Sequence, residues 1–346
     1  MTHSKNLFFT YANEYLHKHI PLQRDMSKNT EKTYADAMSL FRRYALDVRG
    51  LGVDKLKFEH LDFDFMTGFT LWLKSPKNGK KGDSATTCNL RSSVIRSYVK
   101  FAMGKDVGLA TIWLSLKGVP PVKTEKAAKD ILSEKALNTL LRQPVQHTKI
   151  GLRDMTLIIL MYDSACRISE ILNLRKSDIK LDGPYPQIFV IGKGRKERCL
   201  PLMARTVAYL KKYMSVFHDD SKYDMPFLFY TVIKGTVGPL SQDCIAKILK
   251  KYANEARVAC SEMPKKIHSH MFRRTRATHL YQHGHDIYTI ARFLGHEQIE
   301  TTKEYLNPSM EQLREALEST CTKNESGTIP TPEGYEARRA RLCGIR

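Results

Sequence analysis

The sequence predicts a mainly α-helical chain of two domains, the second of which interrupts its helices with a small antiparallel sheet. Three observations predict it. Apolar residues recur at helical spacing from Leu7 to about Leu116. The periodicity stops at Lys117-Gly118-Val119-Pro120-Pro121-Val122-Lys123, where a diprolyl flanked by lysines suits a linker. Beyond it, two extended segments flank Gly192-Lys193-Gly194-Arg195 in the pattern of a hairpin. At 346 residues the chain is long for one compact core. The expected division is a helical domain over 1–117, a linker over 118–130, a second domain over 131–318 and a tail over 319–346.

In the first domain, Tyr34, Ala37, Met38, Phe41, Tyr44, Ala45 and Val48 share one face of an amphipathic helix that Ser27 or Asn29 would cap. A second helix follows Asp62 and carries Phe65, Phe69, Trp72 and Leu73. A third presents Leu90, Val94, Tyr98 and Phe101 inward, with Arg91, Arg96 and Lys100 on its other sides. The loop between them, Ser75 to Asp83, is turn-rich and basic, so Lys77, Lys80 and Lys81 are candidates for touching a sugar-phosphate backbone. A merely solvated loop is the competing account. In the second domain Ser133 is the first helix cap, and Met155 to Tyr162 is the longest apolar run. Strands follow at Gln187–Ile191, Glu197–Leu202 and Phe227–Tyr230, then helices at Gln242–Arg257, His270–His283 and Asp286–Phe293.

A formal net charge of +20 with 42% apolar residues describes a strongly basic chain that can still build cores. Such an excess is the footprint of a phosphate-rich partner. An anionic membrane is the rival, but the longest apolar run is too short to cross a bilayer, and no signal peptide is expected. The seven cysteines are scattered, without a Cys-x-x-Cys pair, and read as reduced thiols. Cys166 is taken as core filling with no catalytic role.

Chemistry concentrates in a few short segments. Arg167, in Cys166-Arg167-Ile168-Ser169-Glu170, sits at a helix junction between apolar stretches, where an unpaired cation is costly. Glu170 could neutralise it or orient it toward an anion. His270 and Arg273 are three apart on one helical face and could share a phosphate oxygen. Taken together, Arg167, Lys193 in Gly-Lys-Gly-Arg-Lys-Glu-Arg, His270-x-x-Arg273, and Leu294-Gly295-His296 followed by Tyr305 resemble the ordered signature of tyrosine recombinases of the Xer and integrase type. The resemblance covers about Ile131 to Met310, and Thr30, Thr33 and Tyr34 look like the opening of that family's core-binding domain. Two departures are Arg274, where many relatives carry histidine, and the length of sequence beyond Met310.

The resemblance implies a helical core-binding domain and an α+β catalytic domain that form a C-shaped clamp on double-stranded DNA. It implies Tyr305 as nucleophile, forming a 3′-phosphotyrosyl link. Arg167, Arg273 and His296 would hold the phosphate, Lys193 would be the general acid, His270 the base and Glu170 a supporting residue. Lys196 and Arg195 share the Lys193 turn; they are alternatives to it and otherwise DNA contacts. Tyr281 and Tyr288 are the rival nucleophiles, assigned to packing by their apolar periodicity, and Tyr335 lies in the tail. No metal or nucleotide cofactor is expected. Met310, Leu313 and Leu317 form an apolar stripe that the resemblance assigns to a neighbouring protomer in a DNA-bound homo-tetramer, the free protein being monomer or dimer. An accessory directionality factor and a cytoplasmic, nucleoid-associated location complete the expectation. Mobile-element integration, transposition or excision is favoured over chromosome or plasmid dimer resolution. A type IB topoisomerase and a catalytically idle DNA-binding regulator are the remaining readings.

Overall fold

The computed structural model describes residues 6–24, 26–76, 81–124, 130–192, 196–219, 226–303, 305–306, 314 and 342. The chain divides into two compact units, Met1–Ala128 and Lys129–Arg346.

The first unit is helical. Short 3-10, α and π turns between Phe8 and Gln23 lead into α1 (Lys28–Arg49), α2 (Phe63–Lys74), α3 (Ala85–Met103) and α4 (Ala110–Gly118). Ser27, Asp62 and Ser84 cap the first three, each side-chain oxygen accepting from the backbone N–H three residues on. Gly50, at φ 68°, lets Leu51 N–H close on the Ala45 carbonyl at 2.9 Å and ends α1. Phe8, Phe41, Phe58, Phe69 and Tyr98 are buried at the centre. The Tyr98 hydroxyl donates to the Phe8 carbonyl, satisfying the polar end of a buried ring.

Two residues expected on inner faces are not there. Val48 is 51% exposed because the whole last turn of α1, residues 46–50, is exposed and outruns its packing. Leu90 is 48% exposed. The buried stripe of α3 centres on Ser92, Ile95 and Val99, and at 3.6 residues per turn Leu90 lies roughly 140° round from Ile95.

The second unit runs α5 (Glu134–Leu141), α6 (Lys149–Ser164), α7 (Ile168–Asn173), β1 (Ile179–Lys180), β2 (Gln187–Ile191), β3 (Glu197–Pro201), α8 (Ala204–Phe217), β4 (Tyr230–Ile233), β5 (Thr236–Pro239), α9 (Gln242–Ala259), α10 (Ser269–Gln282), α11 (Ile287–Leu294) and α12 (Ile299–Lys303). Helix α6 is buried nearly all round, with Leu152, Met155, Leu157, Ile158, Ile159, Leu160 and Met161 in the core. Such a helix must be central. The sheet is antiparallel in the order β1-β2-β3, with Ile188 opposite Leu200 and Val190 opposite Arg198. The strand expected at Phe227–Tyr230 starts only at Tyr230. It pairs with β5 across Lys234 and Gly235, at φ 49° and 80°, the positive pair a tight hairpin turn requires. Among the described residues no helix is long and apolar enough to cross a membrane.

Candidate active site

The site assembles where α6, α7, β3, α10, α11 and α12 converge. Helix α6 stops at Ser164, and Ala165 takes the left-handed conformation at φ 48°, costly for a residue with a Cβ. The reversal puts Arg167 at the N-cap of α7. Glu170, three residues on, reaches back: its carboxylate accepts from the Arg167 N–H at 2.8 Å and from Arg167 Nη1 at 3.0 Å. The same carboxylate, 4% exposed, accepts from Arg198 Nη2 at 2.7 Å and Nη1 at 3.2 Å. Burial would raise the Glu170 carboxyl, but hydrogen bonds from Arg198 and from the Arg167 backbone outweigh it and hold the group below its ordinary range. Glu170 therefore neutralises and orients at once, as the sequence allowed.

Sequence reasoning did not single out Arg198. The signal was the strand period: in β3, Leu200 is buried, so Arg198, two residues earlier, faces the same way while Glu197 and Cys199 face out.

Arg273, 1% exposed, is fixed by two helix ends. Its Nη1 donates to the Ala165 carbonyl at 2.8 Å and its Nη2 to the Leu294 carbonyl at 2.6 Å. Both carbonyls are C-terminal orphans of their helices, where a cation is favoured. The fork keeps further N–H donors, and Arg273 Nε has no acceptor among the described residues. Burial first, then the neighbouring Arg167, pushes this guanidinium down to about 10, still charged at neutral pH.

Helix α11 ends in a Schellman closure: Gly295, φ 67°, is followed by His296, whose N–H meets the Ala291 carbonyl at 3.0 Å. A Cβ on Gly295 would sit 2.7 Å from Arg198 Nη1. Gly295→Ala should therefore cost about 1–2 kcal/mol, from backbone strain and the displaced guanidinium, read as a lower denaturant midpoint. An unchanged midpoint would contradict this packing.

Tyr305 closes the site. Its hydroxyl lies 2.9 Å from His270 Nε2, and its carbonyl accepts from Thr278 Oγ1 at 2.6 Å. The ring, 8% exposed, packs with Ala165, Ala277, Ile290 and Leu294, and its centroid is 5.3 Å from that of His296. Of the rival tyrosines, Tyr281 is half-buried and packs against the same apolar cluster, while Tyr288 is 69% exposed rather than packed, because the apolar face of α11 runs through Ile290, Ala291 and Leu294. Cys166 is buried, and burial pushes its thiol up, so it is no thiolate.

Both histidines are held neutral. Burial, then Arg273, pushes His270 down to about 4; the same two causes push His296 down to about 4. Their ordinary value is 6.5, so on acidification the unfolded chain takes up these protons before the folded one does. Their contribution to stability is complete above about pH 6.5 and is lost as pH falls toward 4. An NMR titration of the free protein should find both rings half-protonated near 4, and a midpoint near 6.5 for either would contradict this account of the site.

The other named positions divide. Lys193 and Arg195 lie outside the described residues, as do Lys77, Lys80, Tyr335, Met310, Leu313 and Leu317. The register of β2 and β3 is clear up to the turn, Gly192 N–H meeting the Lys196 carbonyl at 2.8 Å. Lys196 pairs with Glu297, beside His296. In the first unit Lys81 is exposed, Arg91 pairs with Asp83, Arg96 donates to the Val119 carbonyl at 3.3 Å, and Lys100 lies over the Trp113 ring. The departing residue Arg274 is buried and donates to the Asp130 carbonyl at 2.9 Å. Among the described residues no cluster of His, Cys, Asp and Glu could hold a metal ion.

The Phage integrase family matches residues 130–312, and the Phage integrase SAM-like domain matches residues 7–113. The chain is 28% identical over 311 residues to Tyrosine recombinase XerD of Staphylococcus saprophyticus, covering 88% of this chain and 96% of that one. Among solved structures, the XerH site-specific recombinase bound to its difH substrate is similar at a TM-score of 0.62 and 21% identity, over 87% of this chain and 83% of that one. The Tn1549 transposon integrase in complex with a circular intermediate DNA is similar at 0.66 and 16%, over 91% and 99%. At such identities the structural likeness speaks for the fold.

Proposed function

Given that the chain belongs to the phage integrase family of tyrosine recombinases, enzymes of site-specific DNA cleavage and rejoining, we propose that Tyr305 is its nucleophile and that Arg167, His270, Arg273, His296 and Lys193 complete its active site. The observation that carries this reading is the Tyr305 hydroxyl at 2.9 Å from a neutral His270, inside a cluster where Arg167, Arg198 and Arg273 surround Glu170.

His270 Nε2 takes the phenolic proton as Tyr305 Oη attacks the scissile phosphorus. The phosphorus–oxygen bond to the 5′ carbon of the next nucleotide breaks, leaving a 3′-phosphotyrosyl link. Lys193 gives a proton to the departing 5′ oxygen. Arg167 and Arg273 hold the nonbridging oxygens through donors fixed before the substrate arrives, so little reorganisation is needed at the transition state. His296 gives a further hydrogen bond, and Glu170 and Arg198 hold the floor. Rejoining is the reverse attack by a 5′ hydroxyl from another strand. The bond energy stays in the phosphodiester linkage throughout, so no external energy source is consumed.

Lys81, Lys100 and Lys196, with Lys77, Lys80, Arg91, Arg96 and Arg195, are proposed to contact the sugar-phosphate backbone, as the basic charge supports. The working assembly is proposed as a homo-tetramer on duplex DNA in the cytoplasm. Integration or excision of a mobile element is the proposed task. Dimer resolution is the second reading, favoured by the likeness to XerD.

Incubating the full chain with nicked suicide DNA in chelator should give a covalent adduct, with the 3′ phosphate mapped by mass spectrometry to Tyr305. No adduct, or one through another residue, overturns the nucleophile. Joining of strands from two duplexes separates recombination from topoisomerase action.

A further inference from the structure

His296 Nδ1 lies 2.8 Å from Oγ1 of Thr302, a residue of α12 with no solvent exposure. A neutral imidazole has one N–H, so which nitrogen carries it decides whether the ring's open edge can donate. The neutral state here follows from burial and from Arg273, Arg167, His270 and Arg198, which all act on this ring. The hydroxyl settles the direction. Among the described residues, Thr302 Oγ1 has no hydrogen-bond partner other than Nδ1. If Nδ1 carried the proton, the buried hydroxyl hydrogen would be left without an acceptor, an arrangement folded proteins avoid. Thr302 O–H therefore donates to Nδ1, and the proton of the ring sits on Nε2, which makes no hydrogen bond within the described residues.

We propose that Thr302 is a positioning residue that locks His296 in the Nε2–H tautomer, so that the ring presents a donor to the scissile phosphate. The inference rests on the recombinase reading for the identity of the acceptor. The tautomer itself is a property of the free protein. The short helix between His296 and Tyr305 is then more than a spacer: its one fully buried side chain programs one catalytic residue while its end delivers the other.

The test is a long-range proton–nitrogen correlation spectrum of the 15N-labelled full chain, with His296→Asn identifying the signals, alongside single-turnover cleavage of nicked DNA. In the wild type, Nε2 should appear protonated and Nδ1 bare. Thr302→Val, which keeps the shape and removes the hydroxyl, should shift the ring toward the Nδ1–H form and slow cleavage about 10- to 100-fold with DNA binding unchanged. Thr302→Ser should restore both. A wild-type ring protonated on Nδ1, or a Thr302→Val spectrum identical to wild type, overturns the proposal; so does equal slowing by valine and serine, which would mark a packing role. If the wild type forms no adduct at all, the recombinase reading fails, while the spectrum still decides the tautomer.

Discussion

Tyr305→Phe should abolish covalent capture of DNA, slowing strand cleavage on the order of 10⁴-fold or more, because the substitution deletes the attacking atom and nothing else. The ring keeps its place among Ala165, Ala277, Ile290 and Leu294. The backbone anchors of the residue, Thr278 Oγ1 to the Tyr305 carbonyl at 2.6 Å and Tyr305 N–H to the Thr302 carbonyl at 2.9 Å, do not involve the hydroxyl. The hydroxyl's hydrogen bond to His270 is lost, a change worth about 1 kcal/mol of stability. DNA affinity should hold, since it rests on the cationic surface. Gel detection of the adduct, with a melting curve and a binding isotherm beside it, checks all three. An adduct that persists in the phenylalanine variant would remove Tyr305 from the mechanism.

Arg273→Lys should be the next most damaging change, and it should damage two properties together. A lysine ammonium is a point donor that cannot serve the Ala165 and Leu294 carbonyls in the geometry of the planar fork while also facing a phosphate. Cleavage should fall on the order of 10²- to 10³-fold, the scale of losing a preorganised donor to transition-state charge. Leaving one buried carbonyl unsatisfied should cost about 2 kcal/mol of stability. Wild-type cleavage at saturating DNA, or an unchanged melting temperature, would each contradict the role given to this side chain.

The contrast between what the sequence disclosed and what it hid is physical. Motif residues were legible because their chemistry demands particular side chains: a forked cation at a helix junction, a glycine that can turn left before His296, a tyrosine beyond it. Ser27, Asp62 and Ser133 announced helix starts through local hydrogen bonding, which needs no tertiary information. Leu90 and Val48 misled because helical spacing fixes which residues share a face, not which face finds a partner or where packing ends. Tyr288 misled in the same way. Arg198 stayed hidden because its role depends on Glu170, 28 residues earlier, and such a pairing appears only when strand and helix meet in space. The left-handed Ala165 could not be foreseen either, since it is imposed by the reversal between α6 and α7 and not by any preference of alanine.

The anchoring of Arg273 to the ends of α6 and α11 has an evolutionary corollary. A descendant released from selection for strand exchange could discard Tyr305 at little structural expense, whereas losing this arginine would cost it about 2 kcal/mol of stability. Retired paralogues of this chain should therefore keep the buried guanidinium long after the phenol has drifted away, and an arginine conserved at this position is by itself no certificate of a working enzyme.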